Sequence, residues 1–164
     1  MRIAFSHLFP CTPGEFFQLL DDPALEELQC RVGDMRREVV EQRENPDGSR
    51  YRKIRCRPNR QLPGFLKPFL GPDGVVYDQV NEWDARTGLL RWRVEVPAFG
   101  ERMQVAGTTR LEAHPQGCQR TIEGDVTVKV RLIGGQIEKF VADDLQKSYD
   151  KTARAIAEFM AQRK

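Results

Sequence analysis

The run CQRTIEGDVTVKVRLIGGQIEKFVADDLQKSYDKTARAIAEFMAQRK, residues 118–164, carries two periodicities back to back. Ile122, Val126, Val128, Val130 and Leu132 alternate with Glu123, Asp125, Thr127, Lys129 and Arg131. That alternation predicts a strand over Cys118–Leu132 with one buried face. Past Ile133-Gly134-Gly135 the apolar spacing changes to three and four, through Ile137, Phe140, Val141, Leu145, Tyr149, Thr152, Ile156, Phe159 and Met160. This is the pattern of one long amphipathic helix, with Asp143–Lys147 and Asp150–Arg154 as i,i+4 pairs on its polar side. Roughly 27 helical residues at ~1.5 Å each span ~40 Å, enough to cross a domain. The glycine pair is expected to turn the chain through dihedrals that only glycine reaches easily. A strand followed by a terminal helix, with no further strand, implies a curved sheet closed by one helix, and such a fold can enclose a ligand-sized cavity.

Outward from this block the chain reads as consecutive hairpins. Met35–Glu44 and Arg50–Arg57 flank Asn45-Pro46-Asp47-Gly48; Val75–Asp84 and Leu89–Val96 flank Ala85-Arg86-Thr87-Gly88; Met103–Ala113 and Cys118–Leu132 flank His114-Pro115-Gln116-Gly117. Strands joined by turns this short pair antiparallel. In Leu89–Val96, Leu90, Trp92, Val94 and Val96 share the buried face, opposite Arg91, Arg93 and Glu95. At the N-terminus Ile3, Phe5, His7 and Phe9 share one face of a first strand. Thr12-Pro13 then offers a helix cap with proline at the first helical position. Phe16, Phe17, Leu19 and Leu20 make a short helix, and Ala24–Arg31 a second one ending at Gly33.

The 164 residues fit one domain, 1–164, large enough to bury a core without staples. A chain 40% apolar and 30% charged is globular rather than disordered. A net charge of +2 is too small to imply nucleic acid, and none is expected as a partner. Cys11, Cys30, Cys56 and Cys118 form no C-x-x-C and have no paired histidines, so neither a metal site nor a redox pair is expected, and free thiols fit the cytoplasm. MRIAFSHLFP lacks the shape of a signal peptide, and no segment has the ~20 apolar residues of a membrane span.

The order strand, two short helices, about six antiparallel strands and one long helix resembles the START-like helix-grip superfamily, also called SRPBCC. That superfamily includes birch-pollen allergen proteins, polyketide cyclases and lipid-transfer domains. Glu82-Trp83-Asp84, Arg91-Trp92-Arg93-Val94, Val105-Ala106-Gly107-Thr108 and Gly134-Gly135-Gln136-Ile137-Glu138-Lys139 are similar to an uncharacterised bacterial branch of it. The resemblance implies an α+β helix-grip fold of about seven strands. It also implies a hydrophobic cavity between sheet and terminal helix, holding a lipid, polyketide or other apolar or amphipathic small molecule. It implies no cofactor, and no catalytic residue can be transferred.

On that reading His7, Trp92, Phe140 and Tyr149 are the candidate cavity wall. Pro58–Gly74 is rich in proline and glycine yet apolar at Leu62, Phe65, Leu66, Phe69 and Leu70. A loop this greasy covers something. One reading makes it a lid with Phe65, Phe69 and Lys67 at the cavity mouth, in transient contact with membrane during ligand exchange; the other packs it into the core edge. The basic run Arg50, Arg52, Lys53, Arg55, Arg57 and Arg60 is either a solvated face paired with the acids of Met35–Glu44 or a receptor for an acidic head group. Three functions stay open. The first is a carrier or sensor, monomeric or weakly dimeric. The second is a cyclase, dehydratase or isomerase in which His7 or Glu95 moves a proton. The third is an interaction module with a solid core.

Overall fold

The computed structural model describes residues 1–59, 61–84 and 86–163, so Arg60, Ala85 and Lys164 lie outside the described residues. The elements are β1 (Arg2–Phe9), α1 (Pro13–Leu19), α2 (Pro23–Gly33), β2 (Met35–Glu44), β3 (Ser49–Pro58), β4 (Tyr77–Asp84), β5 (Leu89–Glu95), β6 (Met103–His114), β7 (Gly117–Val128) and α3 (Gly134–Gln162). Short 3₁₀ turns occupy Gly64–Phe69 and Gly100–Arg102.

The seven strands form one antiparallel sheet in the order β1-β7-β6-β5-β4-β3-β2. Each of the three hairpins expected from turn chemistry is present, with Glu44 opposite Arg50, Asp84 opposite Leu89 and His114 opposite Gly117. β1 and β2 follow one another in the chain yet form opposite edges of the sheet. α1 and α2 carry the backbone between those edges, and α3 packs against α2, β1 and β7. The cap on α1 is the expected one: Thr12 Oγ1 accepts from Glu15 N at 3.1 Å. This is an α+β helix-grip-like architecture: a curved sheet, two short helices and a long C-terminal helix.

Three local expectations need correction. β7 stops at Val128, not Leu132, because β6 begins at Met103 directly opposite Val128 and offers no partner beyond it. Glu138 Oε1 takes the Val128 amide at 2.9 Å, and Leu132 turns out at φ 73° with its side chain 95% exposed. Neither glycine of the pair has a positive φ, so dihedral freedom does not explain them, and only Gly134 is required by space. A Cβ on Gly134 would lie 2.6 Å from the Val128 carbonyl oxygen, whereas one on Gly135 would meet nothing within 4 Å. On α3, Asp143 takes Lys139 at 3.0 Å, and Asp150 takes His7 rather than Arg154.

The convex face of β3–β5 is a ladder of ion pairs. Arg55 clasps Asp78 through two bonds of 2.9 and 3.1 Å, while Glu95 receives Arg93 at 2.9 Å and Lys53 at 3.4 Å. Lys53 and Arg55 therefore pair with β4 and β5 rather than with the acids of β2. The core is divided in two: one cluster around Trp92, Val105, Val126 and Ile137, another around Phe9, Phe16, Leu25 and Ile156. α3 spans both. Its ends, Ile137 and Ile156, are fully buried, while Phe140, Val141, Leu145 and Tyr149 between them are only half-buried.

Candidate functional site

Those half-buried residues face a hollow. A cavity of about 290 Å³ lies between the concave face of the sheet and the middle of α3, and its wall draws on both core clusters. From α3 the wall takes Phe140, Val141, Asp144, Leu145, Ser148, Tyr149 and Thr152, a single stripe along the helix. From the sheet it takes the inward residues of six strands, β2 to β7. The interior is not a solid core, contrary to the condition on which the packed interaction module rested.

Trp92 owes its position to two missing side chains. Gly107 lies opposite Trp92, and Gly124 opposite Gly107, in three neighbouring strands. A Cβ on Gly107 would lie 2.7 Å from the Trp92 ring and one on Gly124 2.9 Å from it. The indole lies over this glycine seat with its Nε1 buried and without a hydrogen-bond partner among the described residues. Trp83 Nε1, Arg52 Nε and Arg120 Nε, also on the cavity wall, are buried donors in the same condition. Buried donors without partners are rare, because each forfeits its hydration.

Trp92, Phe140 and Tyr149 thus stand on the wall where sequence reading put them. His7 does not. It shares the inward face of β1, but the Arg120 side chain lies between it and the cavity wall. His7 Nε2 sits 2.7 Å from Asp150 Oδ1 and His7 Nδ1 3.1 Å from Arg120 Nη2. A guanidinium can only donate, so Nδ1 accepts and the ring proton is on Nε2, given to Asp150. Burial holds the His7 pKa below its usual 6.5, against the opposing pull of Asp150. Both ring nitrogens are engaged, so His7 has no free lone pair with which to take a proton from a ligand. Glu95, the other candidate base, is on the convex face, kept anionic first by Arg93 and then by Lys53.

The apolar residues of the loop divide in two. In its 3₁₀ turn, Leu66 and its neighbours Leu62 and Leu70 face the cavity, while Phe65 sets its edge against Phe140 and Phe69 stacks on Phe99 at 5.2 Å. Lys67 is exposed. The basic run divides by alternation. Arg50 and Arg52 turn inward onto the cavity wall, Arg50 paired with Asp21 and lying over the Phe17 ring.

Arg120 is the residue that sequence reading passed over. It is in phase with Cys118 and Ile122 on the inward face of β7, and only 7% of it is exposed. Its guanidinium carbon lies 5.1 Å from the Phe9 ring centre, 5.2 Å from Tyr149 and 5.9 Å from Phe16. Burial lowers its pKa to about 10, which leaves it a cation at neutral pH. The same burial raises the Tyr149 hydroxyl, with Arg120 pulling the other way. Among the described residues no group of three or more His, Cys, Asp or Glu is placed to hold a metal, and all four cysteines are free thiols. No helix among them is long and apolar enough to cross a membrane.

A sheet-and-helix shell around a hollow, mostly apolar interior is the SRPBCC type of fold. The chain belongs to the family described as "Protein of unknown function (DUF2505)", which it matches over residues 4–160. A search of curated proteins gave no match. Among solved structures it is similar to TTHA0849 from Thermus thermophilus, with a TM-score of 0.67 at 17% identity over 96% of this chain and 95% of that one. It is similar to Ara h 8.0201, with a TM-score of 0.63 at 14% identity over 99% and 98%. Ms6760 from Mycobacterium smegmatis aligns with a TM-score of 0.58 at 15% identity over 99% and 92%. At such identities the likeness concerns the fold alone.

Proposed function

We propose that this protein binds an apolar or amphipathic small molecule in the cavity between sheet and α3, as a carrier or sensor. The observation that carries this reading is the wall itself: an interior of about 290 Å³, chiefly apolar, whose lining residues include Arg52, Trp83, Trp92 and Arg120, each with a buried nitrogen that finds no acceptor among the described residues. The volume lies at the lower edge of the ~300–1,000 Å³ usual for small-molecule sites, so the occupant is small. Apolar burial supplies the affinity and the unclaimed donors orient the molecule. Proton transfer finds no support, since both candidate bases are engaged elsewhere.

The test is uptake of Nile red and of decanol, read by fluorescence and by thermal shift, because a ligand that binds only the folded state raises Tm. Ser148 lies on the α3 stripe, and Ser148→Phe fills the hollow; it should keep the fold and abolish uptake. Failure of the wild type to take up either probe would overturn the reading. Native mass spectrometry of protein from its own host would identify the resident molecule.

Pro58–Gly74 acts in this reading as the lid, with Leu62, Leu66 and Leu70 on its inner side and Phe65, Phe69 and Lys67 outermost when it opens at a membrane. Co-sedimentation with anionic liposomes should then be lost in Phe65→Asp/Phe69→Asp. Equally negligible binding by wild type and variant removes the membrane step.

A further inference from the structure

Four arginines line this cavity; Arg50 pairs with Asp21 and Arg52 reaches the Leu20 carbonyl, while the other two, Arg37 and Arg120, are held in opposite ways. Arg37 on β2 gives its Nε–H to Glu26 Oε1 at 2.6 Å, so its charge is neutralised from within. Arg120 on β7 makes no ion pair with any carboxylate among the described residues; its one hydrogen bond is to the neutral His7 ring. The rings of Phe9, Phe16 and Tyr149 lie against the guanidinium, and Nε–H finds no acceptor among the described residues. Asp150 attracts it only from the far side of His7, so this buried cation lacks the directly paired counter-charge that normally accompanies burial.

His7 and Asp150 add direction. Asp150 fixes the His7 tautomer, and His7 Nδ1 holds one N–H of Arg120, so the guanidinium plane is anchored at one edge while Nε–H stays unclaimed. A planar fork anchored in this way matches the two oxygens of an oxyanion. The cost of taking the guanidinium out of water is already met in the folded protein. An incoming anion has only its own head group to desolvate.

We propose that the occupant of the cavity is an anion, an apolar body bearing an oxyanion head, carboxylate or phosphate monoester, seated against Arg120. This rests on the cavity-binding reading and names the chemical class of its ligand. His7 and Asp150 are positioning residues that aim the guanidinium.

The experiment compares four probes of equal chain length by calorimetry at neutral pH: decanoate, decyl phosphate, decanol and decylammonium. The wild type should bind one of the two anions about tenfold or more tightly than decanol, as a charge-assisted hydrogen-bonded contact provides, and decylammonium most weakly. Which anion is the tighter assigns the head group as carboxylate or phosphate. Arg120→Met should bring the anions down to decanol's level without lowering the Tm of the ligand-free protein, and Arg120→Lys, which keeps charge but not the fork, should restore part of the preference. His7→Phe should weaken the anions and not decanol. Decanol bound as tightly as both anions by the wild type overturns the anion site while the cavity reading stands; binding of none of the four overturns the cavity reading itself. The comparison within the wild type decides the matter even if a variant fails to fold.

Discussion

Arg37 and Arg120 stand on the same concave wall, one on the edge strand β2 and the other on β7, next to the opposite edge, and both are largely withdrawn from water. Around Arg37 the protein supplies the counter-charge. Burial pulls its guanidinium pKa down, yet Glu26 on α2, helped by Cys56 and Tyr77, holds it above its ordinary value. Around Arg120 the protein supplies rings and a neutral imidazole in direct contact, and burial outweighs the weaker pull of Tyr149, Cys118 and Asp150, lowering the pKa. The difference separates a charge used to join a helix to the sheet from a charge left for something the chain does not contain. Two buried cations of the same type therefore do different work, and only their partners tell them apart.

The comparison can be broken most sharply at Glu26. Glu26→Gln would leave Arg37 buried without its carboxylate. Removal of one member of a buried pair is severe, about 3 kcal/mol at the low end of the measured range; Glu26 is 27% exposed on its side chain, so the low end applies. Urea denaturation measures it, and a loss under about 1 kcal/mol would show that Arg37 does not depend on Glu26. The corresponding change on the other side, Arg120→Met, should be neutral or stabilising by about 1 kcal/mol, since an apolar side chain of similar length replaces an unpaired buried charge. Equal losses in the two variants would erase the contrast.

A second way is to give Arg120 what Arg37 has. Leu111 lies directly opposite Arg120 on β6 and faces the cavity. Leu111→Glu should pair internally with Arg120 and cancel the preference for anions over decanol, at least about tenfold if the site acts as proposed. An undiminished preference would place the anion elsewhere.

A smaller effect follows from His7, which is faced by Asp150 from α3, Arg120 from β7 and the rings of Phe5 and Phe9. Its folded pKa lies below 6.5. Between 6.5 and that lower value the unfolded chain holds the extra proton, so stability falls as pH drops through this window and is constant above it. Each unit of depression is worth about 1.4 kcal/mol. The drop should disappear in His7→Gln, measured as the pH dependence of the urea midpoint. The smallest effect belongs to a third kind of arginine. Arg93 pairs with Glu95 on the wet convex face, and Arg93→Ala should cost under about 1 kcal/mol.

Much of this was legible one strand at a time. Alternation put Trp92 on the inward face, and the terminal helix stripe named Phe140 and Tyr149, because a pleat or a helical turn fixes which neighbours share a side. The same rule could have found Arg120, two residues from both Cys118 and Ile122, as a lone charge in an apolar row. It failed at Val130 and Leu132, where the pattern continues but β6 has no residue left to pair. Within the proline-rich loop it gave the apolar residues but not their directions, which the 3₁₀ turn sets by sending Leu66 inward and the rings of Phe65 and Phe69 onto Phe140 and Phe99. The Gly107–Gly124 seat beneath Trp92 was invisible, since it depends on three strands meeting in register.

Taken alone, the chain's periodicities and turns determined the order of elements, the antiparallel hairpins and which faces are apolar. These are local properties, decided within a few residues. The tertiary structure alone decided that the interior is hollow and that Arg120 touches no carboxylate among the described residues. His7 and Arg120 are 113 positions apart and His7 and Asp150 143, so their chain of bonds exists only once β1, β7 and α3 converge. A void and an unpaired charge depend on every neighbour at once, and that sum over distant groups is what only folding completes.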